Sequence, residues 1–226
     1  MASPPGGAII IFLERLGLIE FSQYIFKYLK CSGIMADMIN LSKKFFYDWL
    51  KKYPNGPYKY DFHVPEVERW AKFILKSHPE IDAEVVLISV WLHDIGSYPI
   101  SKKDHAIVGE SIARKFLKKY SYDKKKTEKV LHCIRAHRCR DVFPNSKEAK
   151  LVACCDSASH LTDYVYLSIL TGARLNNSKG LADYAFDKLE RDYKDLSAFP
   201  EIQKKLTPIY IKWKELLKEY KLIALD

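Results

Sequence analysis

A chain of 226 residues with 48% hydrophobic and 13% aromatic side chains is globular in composition rather than disordered. It is long enough for one helical domain with a sizeable core and too short to favour a second full one. The formal charge of +9 points to anionic partners, while no arginine–aromatic pattern of an RNA-binding module appears, so nucleic acid is disfavoured.

Five cysteines (31, 133, 139, 154 and 155) form an odd set without a C-x-x-C pair. That excludes a disulfide framework and a structural zinc knuckle, and it suits a reducing, cytoplasmic compartment. Cys133, Cys154 and Cys155 fall inside apolar helical patterns and read as small buried thiols. The lysine runs at 102–103, 118–119 and 124–126 read individually as solvated surface.

At the N-terminus the apolar run from Ala8 is stopped by Glu14 and Arg15. It falls short of the ~20 residues of a membrane span and has no basic segment before it, so neither a span nor a secretory signal is expected. Residues 8–30 suit an amphipathic helix, and Met35 resembles a natural start. Residues 1–34 are accordingly read as an N-terminal extension and 35–226 as a single helical domain.

Met38, Leu41, Phe45 and Trp49 lie at helical spacing, and Pro54-Asn55-Gly56 ends that segment. A second helix is expected after Val64-Pro65, with Val67, Trp70, Ala71 and Ile74 inward and His63 just before it. Asp82 can cap a third helix whose run from Val85 to Leu92 is apolar almost all round, the mark of a buried helix. Gly96 reads as its C-terminal glycine. Asp104 can cap a fourth helix to about Tyr120, beginning with His105. Asp123 can cap a fifth, on which Val130, Ile134 and His137 share a face while His132 points about 140° away. Ser146 can cap a sixth running through Asp156 toward Leu170. Leu181–Leu196 forms a seventh, and Thr207-Pro208 opens a last helix to about Leu222. No alternating strand pattern is found, so the class is all-α.

His93-Asp94, at the end of the apolar helix, carries the most chemical information. A charged aspartate there is costly unless its charge is compensated, and a metal ion does that well. Imidazole and carboxylate suit Fe, Mn, Zn, Co or Ni, with Mg also accessible to carboxylates. His63, His105, His137 and Asp156 are all expected to face the same core. Singly each has an ordinary explanation as a hydrogen-bonded core residue; four histidines and two aspartates facing one core have no such ordinary account.

The order His63, His93-Asp94, His105, His137, Asp156 resembles the signature of the HD superfamily of metal-dependent phosphohydrolases. The words Leu92-His93-Asp94-Ile95-Gly96, His105 to Ala113 with Gly109 between, and Ile134-Arg135-Ala136-His137 resemble that family's motifs. The resemblance implies an HD-domain helical bundle holding one or two divalent ions, with two favoured and Fe or Mn foremost. His63, His93, Asp94 and Asp156 would hold the first ion. Asp94 would bridge to a second held by His105 and His137, which makes His93 and Asp94 the catalytic pair. Two ions about 3.5–4 Å apart share and activate a water for attack at phosphorus.

The implied activity is hydrolysis of a small phosphorylated substrate, a nucleotide or related phosphoester. Arg138, Lys102 and Lys103 are candidates to grip phosphate, and His160 to orient a ligand or substrate. Ser97 stands where the family's cyclic-dinucleotide phosphodiesterases carry lysine, which argues against that activity. Two other readings remain: a di-iron oxygenase using the same ligands, and a non-catalytic nucleotide-binding module. Substrate identity and oligomeric state are left open by the sequence.

Overall fold

A computed structural model describes residues 37–53, 60–99, 104–175 and 179–223. Among these residues there are nine α-helices and no strand: α1 Met38–Lys52, α2 Tyr60–Leu75, α3 Ala83–Leu92, α4 His105–Lys119, α5 Lys124–Ala136, α6 Lys147–Thr162, α7 Val165–Leu175, α8 Lys179–Asp195 and α9 Pro200–Ile223. Short 3₁₀ turns follow α3 (Ile95–Ser97) and α8 (Leu196–Ala198). The all-α expectation holds. The proposed N-terminal extension, Cys31, the Pro54-Asn55-Gly56 stop, Lys102 and Lys103 lie outside the described residues.

The helix starts follow local capping chemistry. Asp82, Asp104, Asp123 and Ser146 each accept a backbone N–H from the first turn of α3, α4, α5 and α6, at 2.8–3.2 Å. Asp37 caps α1 in the same way.

α3 is the central pillar. Every residue from Val85 to Leu92 is buried, Trp91 among the largest, and each such side chain contributes about 1.5–3 kcal/mol by leaving water. α1, α2, α5 and α6 pack around it. One hydrophobic core runs from Met38 in α1 to Leu217 in α9 and includes the buried Cys133, Cys154 and Cys155.

Tryptophans tie the helices at fixed heights: Trp70 Nε1 donates to Thr162 Oγ1 of α6, and Trp91 Nε1 to Glu68 of α2, both at 3.0 Å. Thr162 in turn donates to Glu66 at 2.7 Å. These bonds set α2 against α6 in the register that brings His63 opposite Asp156.

Four expectations need correction. α2 begins at Tyr60, so His63 lies inside the helix and Pro65 stands just past its first turn, where few intrahelical N–H bonds are lost. α6 stops at Thr162 instead of running toward Leu170: Asp163 turns extended, and its carboxylate accepts from Val165 N at 2.8 Å to start α7. The last helix starts at Pro200, with Thr207-Pro208 inside it, and Thr207 Oγ1 donates back to Gln203 O at 2.8 Å rather than capping.

Gly96 is not the C-cap of α3, a position held by His93. It sits in the 3₁₀ turn beneath the start of α4, where an added Cβ would lie 2.0 Å from His105 O and 2.3 Å from Gly109 N. Backbone meets backbone there, so neither side can yield cheaply. This contact carries His105 to within reach of Asp94. Gly96→Ala is expected to lower stability by about 3 kcal/mol, read as a drop in the thermal unfolding midpoint; an unchanged midpoint would show that the turn and α4 can separate freely.

Candidate metal centre

The six residues expected from the sequence as ligands converge on one place between α2, α3, α4, α5 and α6. They form two groups whose ligand atoms lie within 4.8 Å of one another: His63, His93 and Asp156, and Asp94, His105 and His137. Asp94 spans them. Its Oδ2 lies 3.4 Å from His93 Nε2 and 3.6 Å from His63 Nε2, while its Oδ1 lies 3.3 Å from His105 Nε2 and 3.7 Å from His137 Nε2.

The histidines are aimed by the same simple device. His93 and His137 are the C-cap residues of α3 and α5, where the last carbonyls lack intrahelical partners. Each donates Nδ1–H to the carbonyl three residues earlier, Val90 O and Ile134 O, both at 2.7 Å. That bond satisfies an orphan carbonyl, fixes the tautomer, and leaves the Nε2 lone pair facing the centre. His63 is anchored by Asp163 Oδ2, 3.0 Å from its Nδ1, with Ser159 Oγ at 3.2 Å.

The inward atoms fit a cation. His63 Nε2, His93 Nε2 and Asp156 Oδ1 are fully buried and make no hydrogen bond, although His63 Nε2 and Asp156 Oδ1 are 3.1 Å apart. Buried groups are rarely left so. His105 Nε2 and His137 Nε2 stand 3.2 Å apart. Two ligand atoms at roughly 2.1 Å from one ion, about 100° apart around it, lie about 3.2 Å from each other. Imidazole nitrogens and carboxylate oxygens are the donor set for a divalent transition metal.

Electrostatics agree. Burial alone would raise the carboxyl of Asp94, yet His93, His105 and His137 hold it far below the ordinary range. Burial likewise opposes ionisation of Asp156, and His160, His63 and His93 overcome it. The same attraction outweighs desolvation at His63, pushed up to about 9 chiefly by Asp156 and Asp163, and at His93, held well above its usual value by Asp94 and Asp156. His137 goes the other way, down to about 4, through burial and the neighbouring His93. Two ionised aspartates in an apolar core require positive charge beside them.

The centre forms the floor of an open pocket of about 760 Å³. Arg138 lines that pocket, ion-paired to Asp104 and lying 3.6 Å from Asp141. His160, stacked on His63 at 5.1 Å, reaches Asp156 Oδ1 with Nε2 at 3.4 Å and Asp192 Oδ2 with Nδ1 at 3.1 Å. His132 stays outside and accepts Asn145 N at 3.3 Å, as its position on α5 leads one to expect.

Three site residues escaped the sequence reading: Asp163, Lys188 and Asp192. Only Asp163 had a legible signal, a helix-capping residue inside what reads as one long helix. Its Asn variant keeps an oxygen for the α7 cap and loses the charge on His63. Asp163→Asn is expected to weaken metal binding about 10- to 100-fold with the fold retained, measured by metal titration against circular dichroism. Unchanged affinity would remove Asp163 from the centre.

Comparison with known proteins bears on this geometry directly. Residues 60–160 match the family model of the HD domain, a span that opens on α2 and holds all six convergent residues. No curated protein and no solved structure gives a match. HD domains bind divalent metals, and the family is in general one of hydrolases. The match spans under half of the chain and supports an HD superfamily protein, with the HD domain between residues 60 and 160.

Proposed function

We propose that this protein is a metal-dependent phosphohydrolase acting on a small phosphorylated molecule of the nucleotide class. His63, His93, Asp94 and Asp156 would hold one divalent ion, and Asp94, His105 and His137 a second, with Fe or Mn the preferred metals. The observation that carries this reading is the Asp94 carboxylate, whose two oxygens face different ligand groups. When bound, two such ions supply an activated water and neutralise phosphoryl charge.

The chain's own groups do the rest. The Nδ1 anchors of His63, His93 and His137 hold the imidazoles in the tautomer that offers Nε2. Buried apolar side chains of α3, α5 and α6 back the floor of the pocket, and this low-dielectric side strengthens the charge interactions there. Arg138, fixed by Asp104 and close to Asp141, offers a guanidinium at the pocket wall for a phosphoryl oxygen. His160 ties Asp156 to Asp192 and so limits its movement. Hydrolysis breaks one P–O bond, joins the water oxygen to phosphorus, and passes the water's proton toward the leaving oxygen.

The reading is tested by phosphate release from a panel of nucleotides and simple phosphoesters, using anaerobic Mn²⁺-loaded protein. Turnover of one class is expected, falling on the order of 10³-fold in His93→Ala while the fold persists by circular dichroism. No turnover across the panel, with iron present and oxygen consumed, would replace the hydrolase by the oxygenase. Turnover that survives His93→Ala would take the reaction away from this centre.

A further inference from the structure

α8 lies wholly beyond the residues matched to the HD domain, yet it forms one wall of the pocket. Tyr184, Lys188, Arg191, Asp192 and Lys194 of this helix all line the cavity. Lys188 is the least exposed of the three cations among them. Its side chain is 16% exposed, and its ammonium lies 3.1 Å from both Asp192 oxygens and 2.9 Å from His160 Nδ1. Through His160 it stands one residue removed from Asp156. A cation held this firmly in a half-buried wall is a fixed charge rather than a swinging surface lysine.

Farther out the pattern changes. Arg191 and Lys194 continue along α8, while Arg140, in the segment after α5, and Lys150, in the first turn of α6, line the same cavity. All four are exposed, and none is ion-paired with an acid among the described residues. The chain pairs many of its other cations, such as Lys44 with Asp48, Arg114 with Glu128 and Lys126 with Glu84. Two acids that line the cavity beside them are otherwise engaged: Asp192 holds Lys188 and His160, and Asp195, raised to about 6 by burial and by Asp192, faces Ser157 and Cys139.

One unpaired surface cation has no meaning by itself. Four of them, carried by three segments to one cavity whose inner wall includes Lys188, create a positive field extending away from the metal ligands. Lys188 and Lys194 both line the cavity and are six residues apart, a rise of about 9 Å along the α8 axis. The cationic lining therefore continues past the one turn that holds Lys188.

We infer that the pocket binds an extended polyanion end-on, a small molecule with two or more phosphoryl groups linked in series. The innermost phosphoryl lies against Lys188 at the metal floor, and the outer ones lie among Arg140, Lys150, Arg191 and Lys194. The identity of the inner group as the one hydrolysed rests on the phosphohydrolase reading; the outer anion subsite does not.

The test is calorimetric titration of the full-length, metal-loaded chain with imidotriphosphate, which resists hydrolysis, and with orthophosphate. Lys150→Gln, Arg191→Gln and Lys194→Gln combined form the comparison chain, with the metal ligands identical in both. The wild type is expected to bind imidotriphosphate about 100-fold tighter than orthophosphate, and the triple variant to lose about tenfold of that preference. Equal affinity for the two anions, or a preference unchanged in the triple variant, would overturn the subsite. If the preference collapses as expected while the phosphoester panel gives no turnover, the subsite stands and the hydrolase reading falls.

Discussion

Two carboxylates buried in an apolar helical core, Asp94 and Asp156, impose the constraint on which the rest of this structure depends. Neither can be ionised there without positive charge close by, and every nearby element contributes to meeting that requirement. α2 supplies His63, α3 ends on His93, α4 begins with His105, and α5 ends on His137. The helix bundle is arranged so that four helix segments deliver an imidazole within 4 Å of one carboxylate. The tight backbone contact at Gly96 and the tryptophan bonds between α2, α3 and α6 belong to the same arrangement, because they fix the heights at which these residues meet.

The site makes economical use of helix ends. A helix C-terminus leaves carbonyls unsatisfied, and a histidine at that position can satisfy one with Nδ1 while presenting Nε2 outward. His93 and His137 do this with Val90 and Ile134 at identical distances. Structural and chemical demands are thus met by one hydrogen bond at each position. Asp163 extends the principle to α2: one oxygen starts α7, the other faces His63. Disturbing the break between α6 and α7 would therefore be felt at the centre through His63.

Much of this was legible in the residues, for physical reasons. Capping aspartates and serine are local signals, and Asp82, Asp104, Asp123 and Ser146 mark their helices correctly. The apolar run of α3 announces burial because no face of it could face water. The distinction between His132 and His137 follows from helical geometry alone. What failed depended on tertiary contacts. The break at Asp163 is hidden because the apolar periodicity resumes directly in α7. Lys188 and Asp192 carry no signal of their own in the sequence, and only the packing of α8 beside α6 turns them inward. His63 reads as preceding its helix because proline at 65 suggests a helix start; the observed start lies one turn earlier.

The account stands on two ligand groups joined by Asp94, and metal stoichiometry tests that most directly. Metal content per chain, measured by plasma mass spectrometry after reconstitution with Mn²⁺ and desalting, should approach two ions in the wild type. In His105→Ala, which removes a side chain from the group of Asp94, His105 and His137 alone, it should approach one. A single ion in the wild type that is indifferent to His105→Ala, or no retained ion at all, would contradict the bridged centre.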